Sequence, residues 1–106
     1  MIIALDYDDT YTKDPHLWDE FARYSISRGH IVYCVSARAE HHMDDPKNTI
    51  GKIIGPDKCF WTNIQPKKHF MWENHKIRID VWIDDMPWFI DGDQSMLFGG
   101  SMPYQP

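Results

Sequence analysis

Short runs dense in Val, Ile, Leu, Tyr and Cys alternate along this chain with longer segments whose apolar residues recur at helical spacing. That alternation predicts strands joined by crossover helices, and so a mainly parallel sheet in an α/β fold. Residues 2–6 read as the first strand, 30–35 as the second, 59–62 as a short third and 80–84 as the fourth, with residues 95–98 as a fifth strand at an edge. Between the first two, Asp14-Pro15 supplies an N-cap with proline at the first helical position, and Leu17, Phe21 and Tyr24 follow as an apolar stripe until Gly29 stops the helix. Asp45-Pro46 repeats that start signal ahead of Ile50, Ile53 and Ile54, and Gly55-Pro56 ends the segment. Pro66 opens a further helix, running to about Asn74 and carrying Phe70 and Met71.

Composition narrows the class. At 106 residues the chain fits one domain, read as residues 1–98 followed by a loose tail at 99–106. An apolar content of 42%, with five Trp, five Tyr and five Phe, suffices for an ordinary core and excludes wholesale disorder. No apolar run reaches the roughly 18 residues of a membrane span and no leader is recognised, so a cytoplasmic protein without membrane partners is expected. Cys34 and Cys59 lack a metal-type spacing and read as reduced core thiols. The net charge of −5 opposes a general nucleic-acid-binding field.

Candidate chemistry begins at Leu5-Asp6-Tyr7-Asp8-Asp9-Thr10, where two carboxylates follow an apolar strand directly. The carboxyl ends of strands are where open α/β sheets keep their sites. Three further strings follow in order. The second strand closes on Ser36 and continues as Ala37-Arg38; Pro66-Lys67-Lys68 puts lysines at a helix start; and Val81-Trp82-Ile83 ends in the acidic pair Asp84-Asp85. Together these resemble the four ordered motifs of the haloacid dehalogenase-like superfamily, over residues 1 to about 90. The strings Val35-Ser36-Ala37-Arg38 and Ile83-Asp84-Asp85-Met86 are similar to those in the phosphatase domain of phage-type polynucleotide kinase phosphatases.

The resemblance implies a Rossmann-like three-layer αβα sandwich of four or five strands and a magnesium-dependent phosphohydrolase acting on phosphomonoesters. The segments between motifs leave no room for a cap domain, so an open site is expected, shielded at most by residues 11–16 and 38–45 or by a second copy of the chain acting as a lid. Such a site suits a phosphorylated small molecule or nucleotide, or a nucleic-acid end. Phosphate ester hydrolysis is very slow uncatalysed and needs a nucleophile, an acid and positive charge at the phosphoryl oxygens. Asp6 is the expected nucleophile, forming an aspartyl-phosphate, and Asp8 the acid and then the base. The metal would be Mg²⁺, a hard cation suited to a few carboxylate oxygens and waters. Its ligands would be Asp6, the Asp8 carbonyl and Asp85, with Asp84 the rival to Asp85. Lys67, with Lys68 as its rival, would neutralise Asp6 and a phosphoryl oxygen. Thr10 and Ser36 would contact substrate. Arg38 reads equally as a phosphate clamp or a solvated arginine.

Two positions depart from the family pattern: Asp9 stands where Gly is commonest, and Tyr11 where Leu is usual. The six histidines show no zinc-like spacing and read as exposed. Trp61, Trp72, Trp82 and Trp88 read as core or partner-facing residues. A reading from another class is a catalytically silent binder of this fold, engaging a protein through its aromatic and acidic surface.

Overall fold

The computed structural model describes residues 1–92, so the expected strand at 95–98 and the tail at 99–106 lie outside the described residues. Strand β1 (Ile2–Leu5) is followed by helix α1 (Pro15–Ser27) and strand β2 (Ile31–Ser36). Two short helices, α2 (Asp44–Asn48) and α3 (Gly51–Ile54), lead to β3 (Cys59–Trp61), and α4 (Lys67–His75) leads to β4 (Val81–Ile83) and a last turn of helix, α5 (Trp88–Asp91). The sheet has the order β3-β2-β1-β4 and every pairing is parallel. Ala4 lies opposite Tyr33 on one side and Trp82 on the other. Successive strands therefore build outward from β1 in one direction, and β4 then returns to its other flank. The order reverses beside β1, which is where an open α/β sheet leaves a crevice.

Strand alternation sends side chains to both faces of the sheet. Leu5, Val32 and Cys34 join Ala22 of α1, Ile50 just before α3 and Ile54 within it in one buried cluster. Ala4 and Val35 join Met71 of α4 and Ile79 in a second. Full burial of each Leu, Ile, Val or Met contributes about 1.5–3 kcal/mol, so both faces need their helices. No helix among the described residues is long and apolar enough to cross a membrane.

Two local expectations are corrected. The Asp14 side chain does accept from the Leu17 amide at 3.2 Å, capping α1, but Leu17 and Tyr24 are 52% and 66% exposed. The stripe turned inward is Trp18, Ala22 and Ser25, which has the same helical spacing. Small residues at its centre let α1 approach the sheet closely, and that contact outweighs the larger side chains of the competing stripe. The second correction concerns residues 45–54, which are two helices and not one. Asp45 sits inside α2, and the helix breaks at Thr49, with φ −117° and ψ −96°. The Thr49 hydroxyl donates to the Asp45 carbonyl at 2.6 Å and meets the Tyr7 hydroxyl at 3.0 Å, offering the backbone an alternative to helix continuation.

Candidate active site

Asp6 leaves β1 at its carboxyl end, its amide bonded to the Ile83 carbonyl of β4 at 2.9 Å, and is 7% exposed. Lys67, the first residue of α4, is 1% exposed. Its ammonium lies 2.7 Å from Asp6 Oδ1 and 2.6 Å from Asp84 Oδ2. A cation at a helix N-terminus opposes the helix dipole, so these two carboxylates are what hold it there. Lys68, the rival, has its Nζ 3.5 Å from Asp91 of α5.

The acidic pair divides its work. The second oxygen of Asp84 accepts from the Met86 amide at 2.9 Å. Asp85 is exposed, and its Oδ1 lies 3.2 Å from the Thr10 hydroxyl, which is also 3.1 Å from Asp6 Oδ2 and accepts from the Asp85 amide at 3.2 Å. That hydroxyl has one proton and so serves one carboxylate at a time. Carboxylate oxygens of Asp6, Asp84 and Asp85 gather within 4.8 Å of one another. Burial, with Asp84 nearby, pushes the Asp6 pKa from 3.8 up to about 6 against the pull of Lys67. Burial wins because the side chain has lost nearly all its water.

Asp8 has a separate partner. Its two oxygens accept from Arg38 Nε and Nη2 at 2.9 and 2.8 Å, a bidentate pair. Arg38 Nη1 donates to the His42 carbonyl at 2.8 Å, and the guanidinium lies 5.1 Å from the Tyr7 ring centroid. The Arg38 hydrogen bonds hold the Asp8 carboxyl below its ordinary value and raise that of Arg38. Ser36 is fully buried, its Oγ accepting from the Arg38 amide at 3.1 Å. Beyond β3, the amides of Asn63 and Ile64 bond the carbonyls of Arg38 and Ala37, at 3.0 and 2.9 Å. Both take left-handed backbone, Ile64 with φ 68° although it is β-branched and 72% exposed. Asp9 likewise has φ 62°.

A pocket of about 120 Å³ opens over these groups, with Asp6, Asp8, Asp9, Lys67, Asp84 and Asp85 on its polar side and Ala37, Met86 and Phe89 on its apolar side. Past the acidic pair, a wider groove of about 380 Å³ runs over Lys13, Leu17, Trp18 and Ile83. The structure thus brings Asp6, Asp8, Lys67, Asp84 and Asp85 to one pocket, with Thr10 bridging beneath. Ser36 and Arg38 are not among the pocket's lining residues. Met86 and Phe89 were missed from the sequence, although the apolar run Met86 to Ile90 directly after two aspartates is unusual for a solvated turn. Tyr7, the platform for Arg38, gave no separate signal. Comparison with protein-family models, with curated proteins and with solved structures finds no match to this chain.

Proposed function

We infer that this chain is a magnesium-dependent phosphohydrolase of the haloacid dehalogenase type, a capless αβα core that cleaves a phosphomonoester through an aspartyl-phosphate. The observation that carries the reading is the buried Asp6 carboxylate, 2.7 Å from the Lys67 ammonium at the carboxyl end of β1. A pKa of about 6 leaves Asp6 mostly ionised at neutral pH, as a nucleophile must be.

The donor set fits magnesium. Three carboxylates facing one ammonium carry an excess of two negative charges, and a divalent cation balances them with the hard oxygen ligands it prefers. Lys67 occupies one oxygen each of Asp6 and Asp84, leaving the other Asp6 oxygen and Asp85 as the side chains to hold the ion. Bound there, it supplies positive charge against the phosphoryl oxygens.

The protein's own residues supply the remaining steps. An Asp6 oxygen attacks phosphorus and the bond from phosphorus to the ester oxygen breaks; Asp8, which must first leave Arg38 and take up a proton from solvent, gives that proton to the departing alkoxide. Asp8 then takes a proton from water as that water attacks the aspartyl-phosphate, releasing phosphate and restoring Asp6. Lys67 orients Asp6 throughout. Met86 and Phe89 give the leaving group an apolar wall, which suits a nucleotide or another phosphorylated small molecule.

Phosphate release from a panel of mononucleotides, sugar phosphates and end-phosphorylated oligonucleotides, with magnesium or with chelator, tests the proposal. Magnesium-dependent release that disappears in Asp6→Asn is the expected result. The silent-binder reading draws on a separate observation, the occupation of both Asp8 oxygens by Arg38. Failure of the folded wild type to turn over any member of the panel would favour it.

A further inference from the structure

Asp8 and Arg38 sit in a pairing that the proposed reaction cannot use as it stands, because the expected acid and a candidate phosphate clamp hold one another. Their geometries differ in a telling way. Arg38 is three-quarters buried, with the Tyr7 ring beneath it, its Nη1 tied to the His42 carbonyl at 2.8 Å and its amide tied to Ser36 Oγ at 3.1 Å. Asp8 has a side chain 51% exposed and, among the described residues, no hydrogen-bond partner for its carboxylate apart from Arg38. The guanidinium is therefore a fixed platform, and the carboxylate is the member free to leave. The edge Asp8 covers, Nε and Nη2, is the edge with which arginine takes two oxygens of a phosphate. Asp8, the group that covers this edge, lines the pocket, as does Ala37 next to Arg38.

We propose that Asp8 is an internal stand-in for the substrate phosphoryl group: it occupies the Arg38 fork in the free protein, and an incoming phosphate replaces it there. The exchange makes recognition and assembly of the site one event, since a ligand with no phosphate leaves both Asp8 oxygens engaged. The assignment of the displacing anion rests on the phosphohydrolase reading; the existence of the pair does not.

Binding of inorganic phosphate in the presence of magnesium tests the exchange, read by calorimetry and by the Arg38 Nε–H resonance of arginine-labelled protein. Phosphate is expected to move that resonance in the wild type. Asp8→Asn, which weakens the stand-in, is expected to tighten phosphate binding about fivefold, the scale of a partly exposed ion pair. Asp9→Asn removes the same charge one residue away and is expected to tighten it less than about twofold, as a screened charge does. In an Arg38→Gln background the two aspartate substitutions should act alike. Equal tightening by both in the wild-type background, or phosphate binding that leaves the Arg38 resonance unmoved, overturns the exchange. Hydrolysis by the same wild-type preparation keeps the two readings apart. Turnover with an unmoved Arg38 signal rejects the exchange alone, whereas exchange without turnover supports it and rejects the hydrolase.

Discussion

Replacing Asp6 by Asn isolates what a buried carboxylate costs this fold. Burial raises the Asp6 pKa from 3.8 to about 6, although the Lys67 ammonium is 2.7 Å away. Because the folded-state pKa is the higher one, the group's contribution is fully present below about pH 4, where both states hold the proton, and is lost as pH rises through 6. The shift is about two units at 1.36 kcal/mol each, so in the absence of magnesium the wild type loses about 3 kcal/mol from this group by pH 8. Asparagine has nearly the same shape and no titrating proton, and Lys67 keeps Asp84 at 2.6 Å, so its charge is not left unpaired. The stability of Asp6→Asn relative to wild type should therefore rise by about 2 kcal/mol between pH 4.5 and pH 8, the rest of the difference lying at lower pH. Groups that titrate alike in both proteins, including Asp8 with its opposite shift, cancel in that difference. Urea unfolding followed by tryptophan fluorescence, in chelator at pH 4.5, 6 and 8, measures it directly. A difference that stays flat with pH would refute the reasoning, since it would mean that attraction to Lys67 offsets the loss of water and that Asp6 keeps an ordinary pKa.

Other substitutions probe the surrounding network. Lys67→Met leaves two buried carboxylates facing one another and should cost about 3–5 kcal/mol at pH 8; urea unfolding at pH 5 should show a smaller loss, because Asp6 then takes up a proton. Ile64→Gly relieves a β-branched residue at φ 68° whose side chain is 72% exposed, and a gain of about 1 kcal/mol in thermal unfolding is expected. The depressed Asp8 pKa contributes stability that is present above 3.8 and lost as pH falls below it; acid unfolding of Arg38→Gln should accordingly show a shallower decline below pH 4 than wild type. Magnesium at a hundredfold excess over its dissociation constant should stabilise the wild type by about 2.7 kcal/mol. Calorimetric melting of Asp85→Asn should show most of that gain removed.

The fold was legible where a residue's signal was local. Asp14-Pro15 marks the start of α1 because a cap and a fixed φ act within one turn, and the four described strands fall within a residue or two of their apolar runs. What failed required tertiary knowledge. Two stripes on α1 share the same spacing, and only the sheet's demand for close approach selects Ala22 and Ser25 over Leu17 and Tyr24. The break at Thr49 depends on Tyr7, which is 42 positions distant and meets its hydroxyl across the fold. Likewise, the sequence offered Lys67 and Lys68 almost equally, and the direction in which α4 leaves the sheet separates them.

At the site, the sequence named the charged groups but not their pairing, and the pairing determines what the pocket can bind. Each cation is already committed, Lys67 to Asp6 and Asp84, Arg38 to Asp8. Asp85 and Asp9 add negative charge without a cation of their own among the described hydrogen bonds. A phosphate dianion entering this pocket meets net repulsion, which at an effective dielectric of about 20 amounts to about 4 kcal/mol per unit charge at 4 Å. Movement of Arg38 or Lys67 cannot remove that repulsion, because a cation lent to phosphate leaves an aspartate behind. Only an added cation, or protons taken up near the Asp6 pKa of about 6, changes the balance. Phosphate affinity measured in chelator should therefore be weak at pH 8 and strengthen as pH falls toward 5.5, whereas with magnesium it should be strong at both. Strong binding at pH 8 in chelator would show that the carboxylates do not act together on the ligand, and with it the electrostatic case for a metal in this pocket would fall.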